Sequence, residues 1–206
     1  PGYPAEWRPW SPVFTTICEA PCGPGLSYGN QLIYPQPILS DIEFDTDGDM
    51  LIGLMDRLGH QTGEVNYSTS AATTSFNFYD FTTGYTITPV TITAGSTVEG
   101  ASAGDILRVC NVAGTFVLEN NATCGGITTG GAGSAPAQGP GGGEYYWQDM
   151  YAVSGNLNSG THNEVTLGGL ALMPGADEIA VSVFDPFDIR SGGVAWFSNL
   201  TGGRTR

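Results

Sequence analysis

The sequence predicts an all-β fold of repeated four-stranded antiparallel sheets, arranged as two β-propeller-like blades in a ring not closed within this chain. Three observations carry that expectation. Leu39 to Arg57 reads as two short strands around Asp47-Gly48, where glycine takes a positive φ without steric cost, and Asp-Gly between apolar runs is a strong hairpin signal. With one extra residue allowed in the turn, Leu167 to Pro186 overlays that segment, so that Leu39 matches Leu167, Ile42 matches Leu170, Phe44 matches Leu172, Leu54 matches Val183 and Asp56 matches Asp185. Finally, Gly104 to Gly114 matches Gly192 to Gly202 without a gap, pairing Asn111 with Asn199 as well as the terminal glycines.

The elements follow in chain order. Residues 1–36 combine Pro1, Pro4, Pro9, Pro12, Pro21, Pro24 and Pro35 with Trp7, Trp10 and Phe14, which is too proline-rich for a helix or a central strand. They read as an extended arm, packed on its own blade or docked on another surface. Residues 37–119 form the first sheet, with strands expected over 37–44, 50–57, 105–110 and 115–119. In the first of these, Ile42 and Phe44 alternate with Asp41, Glu43 and Asp45, the period of a strand with one wet face; in the second, Met50, Leu51, Ile52, Leu54 and Met55 make an apolar run covered on both faces. An insertion at 58–103 alternates over 74–81 and 85–93 and predicts extra strands. Residues 120–166 are a Gly-rich connection, linker-like up to 143 and then aromatic and acidic from Glu144 to Tyr151. Residues 167–206 form the second, incomplete sheet. Opening at Pro1-Gly2-Tyr3-Pro4 and lacking a fourth strand after Gly202, the sequence reads as a processed chain or a piece of a longer one.

Composition excludes several classes of partner. The 206 residues carry a net charge of −14 with only 6 Lys and Arg, which repels nucleic acid and anionic membrane surfaces alike. No apolar run is long enough to insert in a membrane as a helix. With 31 Gly and 13% charged residues, the chain is closer to extracellular β-rich proteins than to cytosolic enzymes. Four cysteines allow three connectivities; pairing Cys18 with Cys22 and Cys110 with Cys124 is the expected one and implies an oxidising compartment, whereas zinc would need further ligands beside Cys18 and Cys22.

Three constellations are candidates for chemistry. Asp45, Asp47 and Asp49 alternate as in the opening of a calcium loop, which makes calcium a candidate ion where no cofactor is otherwise expected; but the glycine is misplaced for an EF-hand, and a solvated hairpin turn is the favoured reading. Asp56, Arg57 and His60 gather polar groups where a strand ends, either as a base and its partners or as an aspartate capping a turn. Glu144 and Asp149 beside Trp147 resemble in type the two carboxylates and aromatic platform of a sugar site. Motifs for nucleophilic hydrolases, zinc proteases and nucleotide binding are all missing.

The phrases Tyr34-Pro35-Gln36-Pro37-Ile38-Leu39-Ser40-Asp41-Ile42-Glu43-Phe44-Asp45, Met55 to Gly63, Gly139 to Glu144 and Ser191 to Phe197 resemble those of large secreted bacterial surface proteins, in which propeller-like repeats precede serine-aspartate-repeat B-type domains. The resemblance covers most of the chain from Tyr34 onward, and the B-type repeats themselves are absent. It implies a fold and a compartment, and no catalytic residues. The expected function is thus a non-enzymatic extracellular structural or adhesive module of the cell surface. Its partners would be other protein chains, as a homo-oligomer, a filament or the remainder of a longer parent. The alternative is an enzyme or binding module acting on extracellular polysaccharide.

Overall fold

The computed structural model describes side chains at residue 7 and over 36–57, 59–61, 104–133, 139–149, 166–183 and 192–206, together with the backbone of 23–24, 30–32, 58, 62, 66–67, 74–80, 86–92, 97–100 and 184. In chain order the strands are β1 (Gly23–Pro24), β2 (Asn30–Leu32), β3 (Pro37–Phe44), β4 (Met50–Asp56), β5 (Asn66–Tyr67), β6 (Thr74–Asp80), β7 (Thr86–Ile92), β8 (Thr97–Gly100), β9 (Asp105–Val112), β10 (Thr115–Leu118), β11 (Thr123–Cys124), β12 (Ile127–Thr128), β13 (Thr166–Leu172), β14 (Glu178–Phe184) and β15 (Gly192–Ser198). A short helix, α1 (Arg57–Thr62), follows β4. No helix among the described residues is long and apolar enough to cross a membrane. The chain is all-β in class, and it divides into two compact units, one of residues 1–37, 56–103 and 152–163 and one of residues 38–55, 104–151 and 164–206.

In the first unit, β1, β2, β8 and β5 form one sheet and β6 and β7 a hairpin of their own. The insertion therefore does hold strands, as its alternation predicts. The expectation that nothing before residue 37 enters a sheet interior is corrected. β2 contains no proline and lies between β1 and β8, while Pro24 occupies the edge strand, where a missing N–H costs nothing.

The second unit carries the duplication. β3, β4 and β9 make a sheet with β10 at its edge, and β13, β14 and β15 make the other in the same order. The registers match residue for residue: Met50 faces Val109 as Ile179 faces Phe197, and Gly53 faces Ile106 as Ser182 faces Val194. The propeller arrangement is corrected. The sheets have four, two and three strands, and the fourth place in the second copy holds only the tail, where Thr205 N–H donates to Trp196 O at 2.7 Å and Trp196 N–H donates to Arg206 O at 2.8 Å.

The two sheets stack face to face on one core. Leu51, Ile106 and Cys110 from the first meet Leu170, Ile179, Val181, Val183, Ala195 and Phe197 from the second, with Tyr145 and Tyr146 between them. Burial of this apolar surface is the main favourable term in the unit's stability. Two glycines set the approach: a Cβ on Gly53 would lie 2.1 Å from the Gly168 carbonyl, and Gly168 itself has φ +77°. Across the same seam, Leu170 N–H donates to Asp41 Oδ2 at 2.9 Å, and Gly104 N–H donates to Thr166 O at 2.7 Å.

Residues 120–133 are not a loose linker. They include the β11–β12 hairpin, turning at Gly125 and Gly126 with positive φ, and pack on the aromatic segment, where a Cβ on Gly131 would lie 1.9 Å from Glu144 O and one on Gly130 would lie 2.9 Å from the Trp147 ring. Glycine is thus required by close packing rather than by flexibility.

Candidate functional site

Arg108 stands in an apolar strand, so its charge must be met inside the fold. Its neighbours across the sheet come from the acidic turn. Nη2 pairs with Asp45 Oδ2 and reaches Asp49 Oδ2 at 2.8 Å, and Nε donates to Asp49 Oδ2 at 3.1 Å. Nη1 donates to the Tyr146 hydroxyl at 3.3 Å, and the guanidinium lies 5.0 Å over the Tyr145 ring. Burial disfavours the charge on Arg108, yet Tyr146, Tyr145 and Asp45 raise its pKa on balance. The Tyr146 hydroxyl is pushed up by burial, with Arg108 opposing.

This geometry accounts for two of the three acids proposed as calcium ligands. Asp45 Oδ1 accepts the N–H groups of Asp47 and Asp49 at 3.0 Å each, folding the turn, while the other oxygen faces Arg108. Asp47 is exposed at the tip. A guanidinium, fixed by the fold, thus supplies the cation that Asp45 and Asp49 face.

Behind Arg108 lies Glu119. Its Oε1 accepts Arg108 N–H at 2.8 Å and its Oε2 accepts Tyr145 N–H at 2.6 Å. Burial lifts its pKa from 4.5 to about 7, the two backbone donors hold it down, and nearby Asp105 pushes it further up.

Glu144 and Asp149, read from the sequence as a carboxylate pair, are brought together by the structure, and a third acid joins them. Oxygens of Asp105, Glu144 and Asp149 lie within 4.8 Å of one another, and all three side chains are buried. Carboxylate oxygens alone are the donor type of hard cations such as calcium or magnesium, and these are the described residues whose placement fits one. Trp147 is half-buried, with its Nε1 donating to Thr201 O at 3.3 Å, so it packs against the chain rather than presenting a sugar platform.

In the first unit, Asp56 caps α1. Its Oδ2 accepts Gly59 N–H at 2.9 Å, and its Oδ1 accepts Gln36 N–H at 2.8 Å. Arg57 donates from Nη1 to Gln36 Oε1 at 3.0 Å, and His60 is exposed. Cys110 and Cys124 form the expected disulfide, while Cys18 and Cys22 lie outside the described residues.

Sequence reasoning missed Asp105, Arg108 and Glu119. The signal was present: an acid and a base interrupt the apolar run of β9, and the gapless match pairs them with Gly193 and Trp196, so both charges belong to the first copy alone.

Against this geometry, the chain is similar to Colossin-A of Dictyostelium discoideum, 32% identical over 174 residues, which cover 82% of this chain and 1% of that protein. The chain thus spans about a hundredth of that relative's length, and the relative is not bacterial. No family model matches, and no solved structure matches.

Proposed function

We propose that the chain is a non-enzymatic structural or adhesive module of an extracellular surface protein. The observation that carries this reading is the outer face of the first sheet, where Ile42, Phe44, Phe116 and Leu118 are exposed and Phe44 and Phe116 meet edge to face at 6.0 Å. An apolar sheet face left open to water is a contact surface. The Cys110–Cys124 disulfide supports an oxidising compartment, and the match to a small part of a very long protein supports a repeated module. The polysaccharide-cleaving alternative is weakened by the burial of Glu144 and Asp149, since a sugar subsite needs open carboxylates.

The reading is tested by adsorption of the purified chain to an alkyl-coated microbalance sensor, alongside reducing-sugar release from a polysaccharide panel. Adsorption that Phe44→Asp weakens, with no sugar released, supports it. Sugar release that Glu144→Gln abolishes overturns it.

A further inference from the structure

The two sheets of the second unit do not pack as mirror partners. In the first sheet, Leu51, Gly53, Ile106 and Cys110 point to the shared core; call this face the front. Their counterparts in the second copy are Ala180, Ser182, Val194 and Ser198, on the side turned away from that core, where Val194 is 59% exposed. The residues that the second sheet sends into the core are Leu170, Ile179, Val181, Val183 and Phe197, and these correspond to Ile42, Met50, Ile52, Leu54 and Val109 on the back of the first sheet. The internal contact is therefore front of one copy against back of the next.

A front-to-back contact leaves two complementary faces unused. The back of the first sheet is open along β3 and β10, with Val109 buried and Met50, Ile52 and Leu54 half-buried between them: Ile42 is 43% exposed where its counterpart Leu170 is 7%, and Phe44 is 56% exposed where its counterpart Leu172 packs on the core. The front of the second sheet is open at Val194 and Ala171, while Ala180 is buried and Arg206 lies over the Trp196 ring beside them. Each chain carries both halves of a contact whose geometry it already displays internally.

We propose that the back of the first sheet receives the front of the second sheet of another copy of this chain, so that molecules add head to tail. This rests on the structural-module reading above and names its partner. Such a contact is heterologous, and repetition of it builds open arrays rather than a closed pair. It is looser than the internal one. Ser182 stands on the front of the second sheet where Gly53 stands on the front of the first, so a hydroxyl-bearing side chain occupies the place of the closest backbone approach. Assembly is accordingly reversible and rises with protein concentration. Each copy carries −14, so added salt screens the repulsion and strengthens an association held by apolar contact.

Sedimentation velocity over a series of protein and salt concentrations tests this with two blocked variants, Phe44→Asp on the back and Val194→Asp on the front. The native chain should form a ladder of oligomers that lengthens with concentration and salt. Each variant alone should stay monomeric, because one of its two faces is closed, and an equal mixture of the two should form a dimer and nothing longer. A monomer under all conditions overturns the proposal, with the apolar back then facing a partner of different chemistry. A native dimer that survives Val194→Asp also overturns it, since that contact would be back to back. Thermal melting checks both variants; if Phe44→Asp melts early, Leu118→Asp on the same sheet replaces it. A monomer that still adsorbs to the alkyl sensor removes head-to-tail addition and leaves the module reading standing, so the two failures are separable.

Discussion

The two copies share a backbone and differ in how each one handles charge. In the first, Arg108 is sunk in the sheet against Asp45 and Asp49, with the tyrosine pair Tyr145 and Tyr146 closing around it. At the matching place the second has Trp196, over which Arg206 lies 4.6 Å from the ring centroid while pairing with Glu178, the counterpart of Asp49, at 2.8 Å. The same strand position thus holds a buried cation in one copy and carries an external cation on an aromatic in the other. The difference follows from the stacking. The Arg108 position points into the shared core and the Trp196 position points away from it, so one ion pair is dry and the other wet.

The largest effect should come from breaking the dry pair. Arg108→Ala leaves Asp45 and Asp49 without their guanidinium, and removing one partner of a buried pair costs about 3–5 kcal/mol, read as a lower urea midpoint at unchanged slope. An unchanged midpoint would show that the buried pair adds nothing beyond what Trp196 provides in the other copy.

The disulfide is a second asymmetry, because Cys110 corresponds to Ser198, whose hydroxyl accepts the N–H groups of Leu200 and Thr201 at 3.2 Å each. Cys110 and Cys124 are 14 residues apart, and a loop of that size implies about 3 kcal/mol lost on Cys110→Ser with Cys124→Ser, seen as a lower melting temperature.

Acidification probes the polar side of the first copy alone. The unfolded chain loses the Glu119 proton near 4.5, whereas the folded chain keeps it to about 7. Between those pH values the unfolded state binds fewer protons, so the Glu119 contribution to stability falls as pH rises, by up to roughly 3 kcal/mol across the window. Melting at a series of pH values should show it, and Glu119→Gln should flatten that part of the profile.

The smallest effect belongs to the wet pair. Arg206→Ala should cost under about 1 kcal/mol and lose even that in high salt, because Arg206 is exposed and water screens its charge. If the loss equalled that of Arg108→Ala, the contrast between the copies would fail.

Much of the fold was legible from local rules. Alternation and the Asp-Gly turn located β3 and β4, the gapless repeat located β9 and β15, and the spacing of Cys110 and Cys124 around Gly114 suggested their bond. The α1 helix was not foreseen, because it depends on Asp56 capping Gly59 while also holding Gln36, twenty residues earlier in the same chain. The candidate site was half legible. Glu144 and Asp149 stood out beside Trp147, whereas Asp105 is distant in sequence and joins them only through the packing of β9 against their segment.

What the amino-acid order determined alone is what short-range sterics and period-two patterning can encode: where strands run, where glycine lets them turn, and that one ribbon pair is written twice. What only the tertiary structure decided is which side of each ribbon is inside. Met50-Leu51-Ile52 is apolar on both faces, so its pattern cannot choose; the choice is made at Gly53 and Gly168, where the absence of Cβ atoms lets one sheet settle on the other. That contact buries Leu170 and exposes Ile42, and it turns Arg108 inward and Trp196 outward.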